Sequence, residues 1–498
     1  MSPQDPRPST DPSMSDDVEE AMLDPAEVGE EIPSDTDEPM NSDADDDGIP
    51  DADEDEPFEL HNDSVAHFDG HKDSIFCIAQ HPTHPEIVAT GGGDDVGYLF
   101  DTTTVEAPVL PDSYRTVPPD QTPQTLSSLY QLDGHTDSLN AVTFTLPEGH
   151  YILSAGLDGR IRAHRDAASD HSGRNWTFLA EAQEVEEINW LLSCPHPANP
   201  NVVALGANDG SVWVYSINAE DTASPLTIVQ AFYLHTESCT AGAWTPDGKL
   251  LATVSEDGSF YVWDVFGEAA APGTGDGGQA VVSLTAQDQR FAVEGGLFSL
   301  AISPTGNFAV VGGAGGNIRS IGLPRIGSDA VDKTGGKGTA SKTNAGRRAG
   351  KASTSASGGV SQAGQILVSL QAQSDNIESL AFSPAPLTLL AAASVDGSIT
   401  LFDTAHRYAV RRQIQDAHDD QAVVKVEFVQ NSSTGGWLLT SAGMDGVVRR
   451  WDTRGGTAAA NKGLVGEWRG HRGGGEGGGV LGFVQGGGGG RIITAGDE

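Results

Sequence analysis

The sequence predicts an all-β protein: a closed β-propeller of about eight blades behind a disordered acidic tail. Three observations lead there. A strand-and-turn module recurs through residues 61–498, and a fixed six-residue offset ties a turn residue to a bulky residue in copy after copy. Residues 1–60, in contrast, have a composition that cannot build a core.

The clearest module is LHTESCTAGAWTPDGKLLATVSEDGSFYVWD, residues 234–264. It reads as a His-containing turn, an alternating strand, a more apolar strand, an Asp-Gly turn and a third strand ending in an aromatic. Other copies are GHKDSIFCIAQHP…EIVATGGGDDVGYLFD, GHTDSLNAVTF…YILSAGLDGRIRAHR, SDNIESLAFSPAPLTLLAAASVDGSITLFD and AHDDQAVVKVEF…WLLTSAGMDGVVRRWD. The turn residues are Asp94, Asp158, Asp209, Asp257, Gly315, Asp396, Asp445 and Asp497. Six residues after the first seven stand Phe100, His164, Tyr215, Trp263, Ile321, Phe402 and Trp451. This is the grammar of a WD40 β-propeller. Each small antiparallel sheet cannot bury its own faces, so neighbours arranged around an axis supply the core.

The leader, residues 1–60, holds 23 acidic residues and one base, Arg7. It buries too little apolar surface to offset its ordering entropy and is expected to be disordered. Two insertions are expected to be flexible loops: residues 105–128, rich in Pro and Thr, and 322–365, with seven basic and two acidic residues. The segment SVAHF, 64–68, reads as an outer strand for the last blade. The last repeat, VLGFVQGGGGGRIITAGDE, stops at its turn, so either the chain is cut there or the closing blade lacks a strand.

Charge narrows the function. A net charge of −43 argues against direct nucleic-acid binding and favours a basic protein partner. Cys77, Cys194 and Cys239 lie far apart and suggest neither a disulfide framework nor a zinc site. No apolar run approaches the ~20 residues of a membrane span, and no signal sequence is legible. A monomer in the cytoplasm is expected, with the nucleus left open as a second location.

His71, His135, His235, His418 and His471 fall in different modules and cannot converge on one metal. Their expected role is a buried relay within a blade: imidazole, a Ser or Thr, the turn Asp and the indole N–H of Trp. His235, Thr253 or Ser255, Asp257 and Trp263 could make one full set. AGRRAGKAS, 345–353, departs from a phosphate loop at Ala345 and Ala352. No catalytic set, metal or cofactor is expected, and the chain is read as a non-enzyme.

Acids crowd the turns expected on one propeller face: Asp73, Asp94, Asp137, Glu184, Glu186, Glu187, Glu237, Glu256, Asp375, Glu378, Asp419 and Asp420. A negative ring at the channel mouth would receive a basic peptide. Clustered charges give steering and salt dependence that a single exposed pair does not.

The sequence resembles the WD40 family of the angio-associated migratory cell protein and its fungal counterparts. The resemblance is carried by DSVAHFDGHKDSIFCIAQHP, VATGGGDDVGYLFD, GHTDSLNAVTF, the EVEEINWLL segment with Trp190, SEDGSFYVWD, NIESLAFSPAPLTLLAAASVDGSITLFD and SAGMDGVVRRWD. It covers roughly residues 60–498 and is weakest in the fifth repeat and across 322–365. Fungal members are dedicated chaperones of a basic large-subunit ribosomal protein, whose Arg-rich N-terminus they hold until ribosome assembly. The resemblance therefore implies a peptide-binding role for Asp94, Glu186, Glu256 and Asp420, with Trp190 as a flat surface for arginine stacking. The full expected set is Asp73, Asp94, Asp137, Glu186, Glu187, Trp190, Glu237, Glu256, Asp375 and Asp420. The glycine-rich last repeat, Gly315 in place of a turn acid and the missing final strand depart from the family pattern. The competing reading is a WD40 scaffold or adaptor in signalling or ubiquitin-dependent degradation.

Overall fold

The computed structural model describes residues 62–104, 123–168, 172–268, 279–325, 362–430, 436–455, 463–471, 473 and 478–497. The chain divides into units 1–58 and 59–498, and all described residues lie in the second. The expected disordered leader is outside the described residues, as are 105–122 and 326–361 of the two insertions.

The described chain is almost entirely β. Seven four-stranded antiparallel sheets follow one another, each with its strands in chain order from the inside outward. Their inner strands are Ile75–Gln80, Leu139–Phe144, Ile188–Ser193, Cys239–Trp244, Leu297–Ile302, Ile377–Phe382 and Val423–Phe428. An eighth sheet has two strands, Val480–Gln485 and Ile492–Gly496. Each inner strand packs against the next, and Val480–Gln485 packs against both Val423–Phe428 and Ile75–Gln80. The count of about eight is thus seven complete blades and a two-stranded eighth that fills the remaining sector. Among the described residues no helix is long and apolar enough to cross a membrane.

Burial explains the sequence texture. The second strand of a blade is flanked by its own sheet and by neighbouring blades on both faces. Ile87–Gly92, Val202–Ala207, Leu250–Ser255 and Leu389–Ser394 are therefore buried at every position and read as continuous apolar runs. Outer strands have one solvated face, and Ile366–Gln371 alternates between half-buried and exposed. Each Leu, Val or Phe fully buried between blades contributes about 1.5–3 kcal/mol.

The eighth sheet is tied to both neighbours. Arg450 donates to Gln485 Oε1 at 3.1 Å and to the Gly489 carbonyl at 2.5 Å, while Thr440 donates to Gln485 Oε1 at 2.8 Å. Lys425 donates to the Phe483 carbonyl at 2.7 Å. On the other side Arg491 donates to Thr102 Oγ1 at 3.0 Å, and Ser74 donates to Asp497. SVAHF does not complete this sheet. Ala66 and His67 pair in parallel with Gln124 and Thr125 beside the first blade, and the Asp63 N–H donates to the Arg469 carbonyl of the seventh blade.

Candidate functional site

The geometry of one face follows from the relay that recurs in the blades. In the seventh, His418 Nε2 is 2.7 Å from Ser441 Oγ and Nδ1 is 2.8 Å from Asp445, while Trp451 donates its indole N–H to Ser441 at 2.8 Å. In the fourth, Thr253 rather than Ser255 is the hydroxyl partner. It lies 2.8 Å from His235 Nε2 and accepts from Trp263 at 2.9 Å, and Ser259 intervenes between His235 and Asp257. In the second, His135 bridges Ser154 and Asp158, but His164 takes the tryptophan position. A carboxylate can only accept, so Nδ1 of His135 and His418 carries the proton. Burial lowers the pKa of His135 and takes His235 down to about 4, so both imidazoles are neutral in the fold. Because the His sits on the loop entering a blade and the Asp on its second turn, these bonds fix both segments at the same end of the propeller.

A second regularity lies at the channel mouth. Every inner strand breaks register after its first residue, leaving Phe76, Asn140, Asn189, Thr240, Phe298, Glu378, Val424 and Leu481 as bulged positions. Several of these stitch one blade to the next. Asn189 donates to Ser238 Oγ at 2.8 Å and to the Cys239 carbonyl at 3.1 Å, and Thr240 to the Leu297 carbonyl at 2.6 Å. Sequence reading had no access to this ring, since a bulge is a property of pairing and has no residue signature here.

Eight of the ten expected site residues present carboxylates on this face without a basic partner among the described residues. Asp73, Asp137, Glu186, Glu237, Glu256, Asp375 and Asp420 are exposed and Glu187 is half-buried. In Asp73, Asp137 and Asp375 one oxygen accepts the next backbone N–H at 2.8, 2.8 and 2.7 Å, which orients the carboxylate. Asp420 and its neighbour Asp419 have φ of 61° and 47°, in the left-handed region. Asp419 is paired with the buried Arg449 at 3.0 Å, so Asp420 is the acid that this loop leaves unpaired. Burial and the nearby Asp375 charge hold the Glu378 carboxyl above the usual range.

Two expected residues have other roles. Asp94 accepts from His71 Nδ1 at 2.9 Å and from the Lys72 N–H at 3.0 Å, so both its oxygens hold the entry loop of the first blade. Trp190 is 9% exposed and offers no open face to an arginine. Its ring fills the space between blades three and four, where a Cβ on Gly206 or Gly242 would come within 2.3 or 2.4 Å of it. Its indole N–H donates to the Cys239 carbonyl at 3.1 Å. A buried indole with a satisfied N–H is a packing residue.

The fold and its recurring relay define a WD40-repeat propeller, and the profile of the WD domain, G-beta repeat matches residues 62–101, 126–164, 226–264, 364–403 and 411–452. The crystal structure of Chaetomium thermophilum Sqt1 is 52% identical, covers 88% of this chain and 96% of that one, and superposes with a TM-score of 0.73. The chain belongs to the Sqt1 family. A second crystal structure shows the Chaetomium protein bound to the N-terminus of the ribosomal protein L10; it is 51% identical, covers 88% and 98% of the two chains, and has a TM-score of 0.72. The ribosome assembly protein SQT1 of Saccharomyces cerevisiae is 30% identical over 262 residues, 51% of this chain and 52% of the yeast protein, so the match spans about half its length. The human angio-associated migratory cell protein is 23% identical over 415 residues, 82% of this chain and 74% of its own.

Proposed function

We propose that this propeller is a non-catalytic chaperone that captures the basic N-terminus of a large-subunit ribosomal protein of the L10 type during ribosome assembly. The observation that carries the reading is the set of carboxylates at Asp73, Asp137, Glu186, Glu187, Glu237, Glu256, Asp375 and Asp420, spread over six blades at one face with no basic partner among the described residues. The Chaetomium relative bound to the L10 N-terminus supports it. Charges fixed on rigid turns attract a basic segment from a distance and need no reorganisation to receive it. A peptide so held keeps its arginines from other polyanions until a stronger competitor, such as a phosphate-rich assembly site, takes them. The expected place of action is the cytoplasm, where ribosomal proteins are made, and the nucleus in addition.

The test is affinity purification of the intact protein from cell lysate at about 0.1 M and about 1 M salt, where the Debye length falls from ~10 to ~3 Å. One basic ribosomal protein should copurify at low salt and be lost at high salt. Recovery of a ligase or receptor complex instead would favour the adaptor reading.

A further inference from the structure

Blade three breaks the relay rule. Four residues before the inner strands of blades one, two and four stand His71, His135 and His235; before Ile188 stands Glu184. The second-strand hydroxyl of the relay is replaced by Leu205 and the tryptophan by Tyr215. Asp209 on the turn is thus left without an imidazole, and an exposed acid, Glu184, takes the imidazole's place. Neither has a basic partner among the described residues.

Aromatic surface lies beside these acids. The Trp213 indole N–H donates to Ser211 Oγ at 2.9 Å, and Ser211 Oγ donates in turn to Asp209 at 2.6 Å. Tyr233, 65% exposed, stands perpendicular to Trp213 with ring centroids 5.7 Å apart, and Leu234 next to it is 49% exposed. Glu184 and Trp213 line one crevice with Val185 and Tyr215. The patch is continuous with the acidic face: the turn at Gly210 packs on the entry loop of blade four, where a Cβ would lie 2.6 Å from the Glu237 carbonyl.

We propose that Trp213, Tyr233 and Leu234, flanked by Glu184 and Asp209, form a subsite for one arginine side chain of the captured peptide as it runs outward over blades three and four. The inference rests on the peptide-capture reading above. The chemistry selects the ligand. A guanidinium is planar, so it stacks on an aromatic face while its edge N–H groups reach carboxylates, and its alkyl stem suits Leu234. A lysine ammonium can satisfy the acids but loses most of the stacking. The subsite takes the role that the family resemblance implied for Trp190.

The experiment titrates a labelled L10 N-terminal peptide, and the same peptide with lysine at every arginine, against the parent protein, Tyr233→Ala and Tyr233→Phe. Tyr233 is exposed, so both variants should keep the parent's melting temperature. Tyr233→Ala should bind the arginine peptide about 2- to 5-fold more weakly, the scale of an exposed cation–π contact. The lysine peptide should lose less than that, and Tyr233→Phe should bind as the parent does. Equal affinity of the parent and Tyr233→Ala for the arginine peptide would overturn the subsite while leaving peptide capture standing. Failure of the parent to bind either peptide would overturn both.

Discussion

The neutral imidazole of His235 makes the fold acid-sensitive at a definite place. The side chain is fully buried, and burial lowers its pKa from 6.5 to about 4, with Asp257 opposing the shift from 4.0 Å away. The folded state therefore binds this proton less tightly than the unfolded state. Stability is complete above pH 6.5 and is lost progressively as the pH falls toward 4. With pKa values of about 6.5 unfolded and about 4 folded, the loss between pH 8 and pH 4.5 is about 2.5 kcal/mol. His235→Gln removes the titration. Glutamine is a sound substitute because Gln373 stands at the equivalent place in blade six and donates to the Ser398 carbonyl at 2.9 Å. Urea unfolding of both proteins at several pH values is the assay, read by tryptophan fluorescence with Trp263 inside the same relay. The variant should start less stable at pH 8 and converge on the parent by about 2.5 kcal/mol as the pH falls to 4.5. Other acid-sensitive groups, His81 and His164 among them, cancel in the comparison. Parallel curves for the two proteins would mean instead that His235 ionises equally well in both states.

Three further outcomes follow from packing. Trp190→Ala should cost about 3–5 kcal/mol in thermal or urea unfolding yet leave peptide affinity of the folded protein unchanged; a selective loss of affinity would return Trp190 to the binding surface. Gly206→Ala should destabilise by about 1–3 kcal/mol because its Cβ meets the Trp190 ring, and pairing it with Trp190→Phe should recover part of that. Gln485→Ala leaves Arg450 and Thr440 short of an acceptor and should speed amide exchange in 480–497 while sparing blade three, whereas uniform exchange would show that the eighth sheet is held otherwise.

The repeat was legible because closure forces the same turn and the same bulky partner into successive sheets, as Asp257 with Trp263 and Asp445 with Trp451 show, whereas the count of about eight overshoots the seven complete blades. The relay was legible for the same reason, though only the structure separates Thr253 from Ser255: 253 faces His235, while Ser255 donates to the Glu237 carbonyl. The site was read less well. Asp73 and Asp94 look alike as turn acids, and what tells them apart is His71 lying against Asp94. A signal existed, since His71 precedes Asp94 by 23 residues and His135 precedes Asp158 by the same interval. Trp190 carried no such signal. The room for its ring is made by Gly206 on the next strand and Gly242 on the next blade, a coincidence of backbone positions visible only in three dimensions. SVAHF satisfied strand pattern but not partner choice, because a two-residue parallel pairing beside the first blade leaves no trace in alternation.

In the proposed function, unpaired carboxylates on one face hold a basic peptide. The most direct measurement is titration of a labelled L10 N-terminal peptide against the parent and against Glu256→Lys/Asp420→Lys, at low and high salt. The two sites belong to blades four and seven, on exposed loops, so the double variant should fold, at a cost of about 1–2 kcal/mol for lysine at the left-handed position 420. Each reversal removes an attraction and adds a repulsion, and affinity should fall at least about 30-fold, with parent binding weakening as salt rises. Unchanged affinity in a folded double variant, or parent binding indifferent to salt, would show that these carboxylates do not hold the peptide.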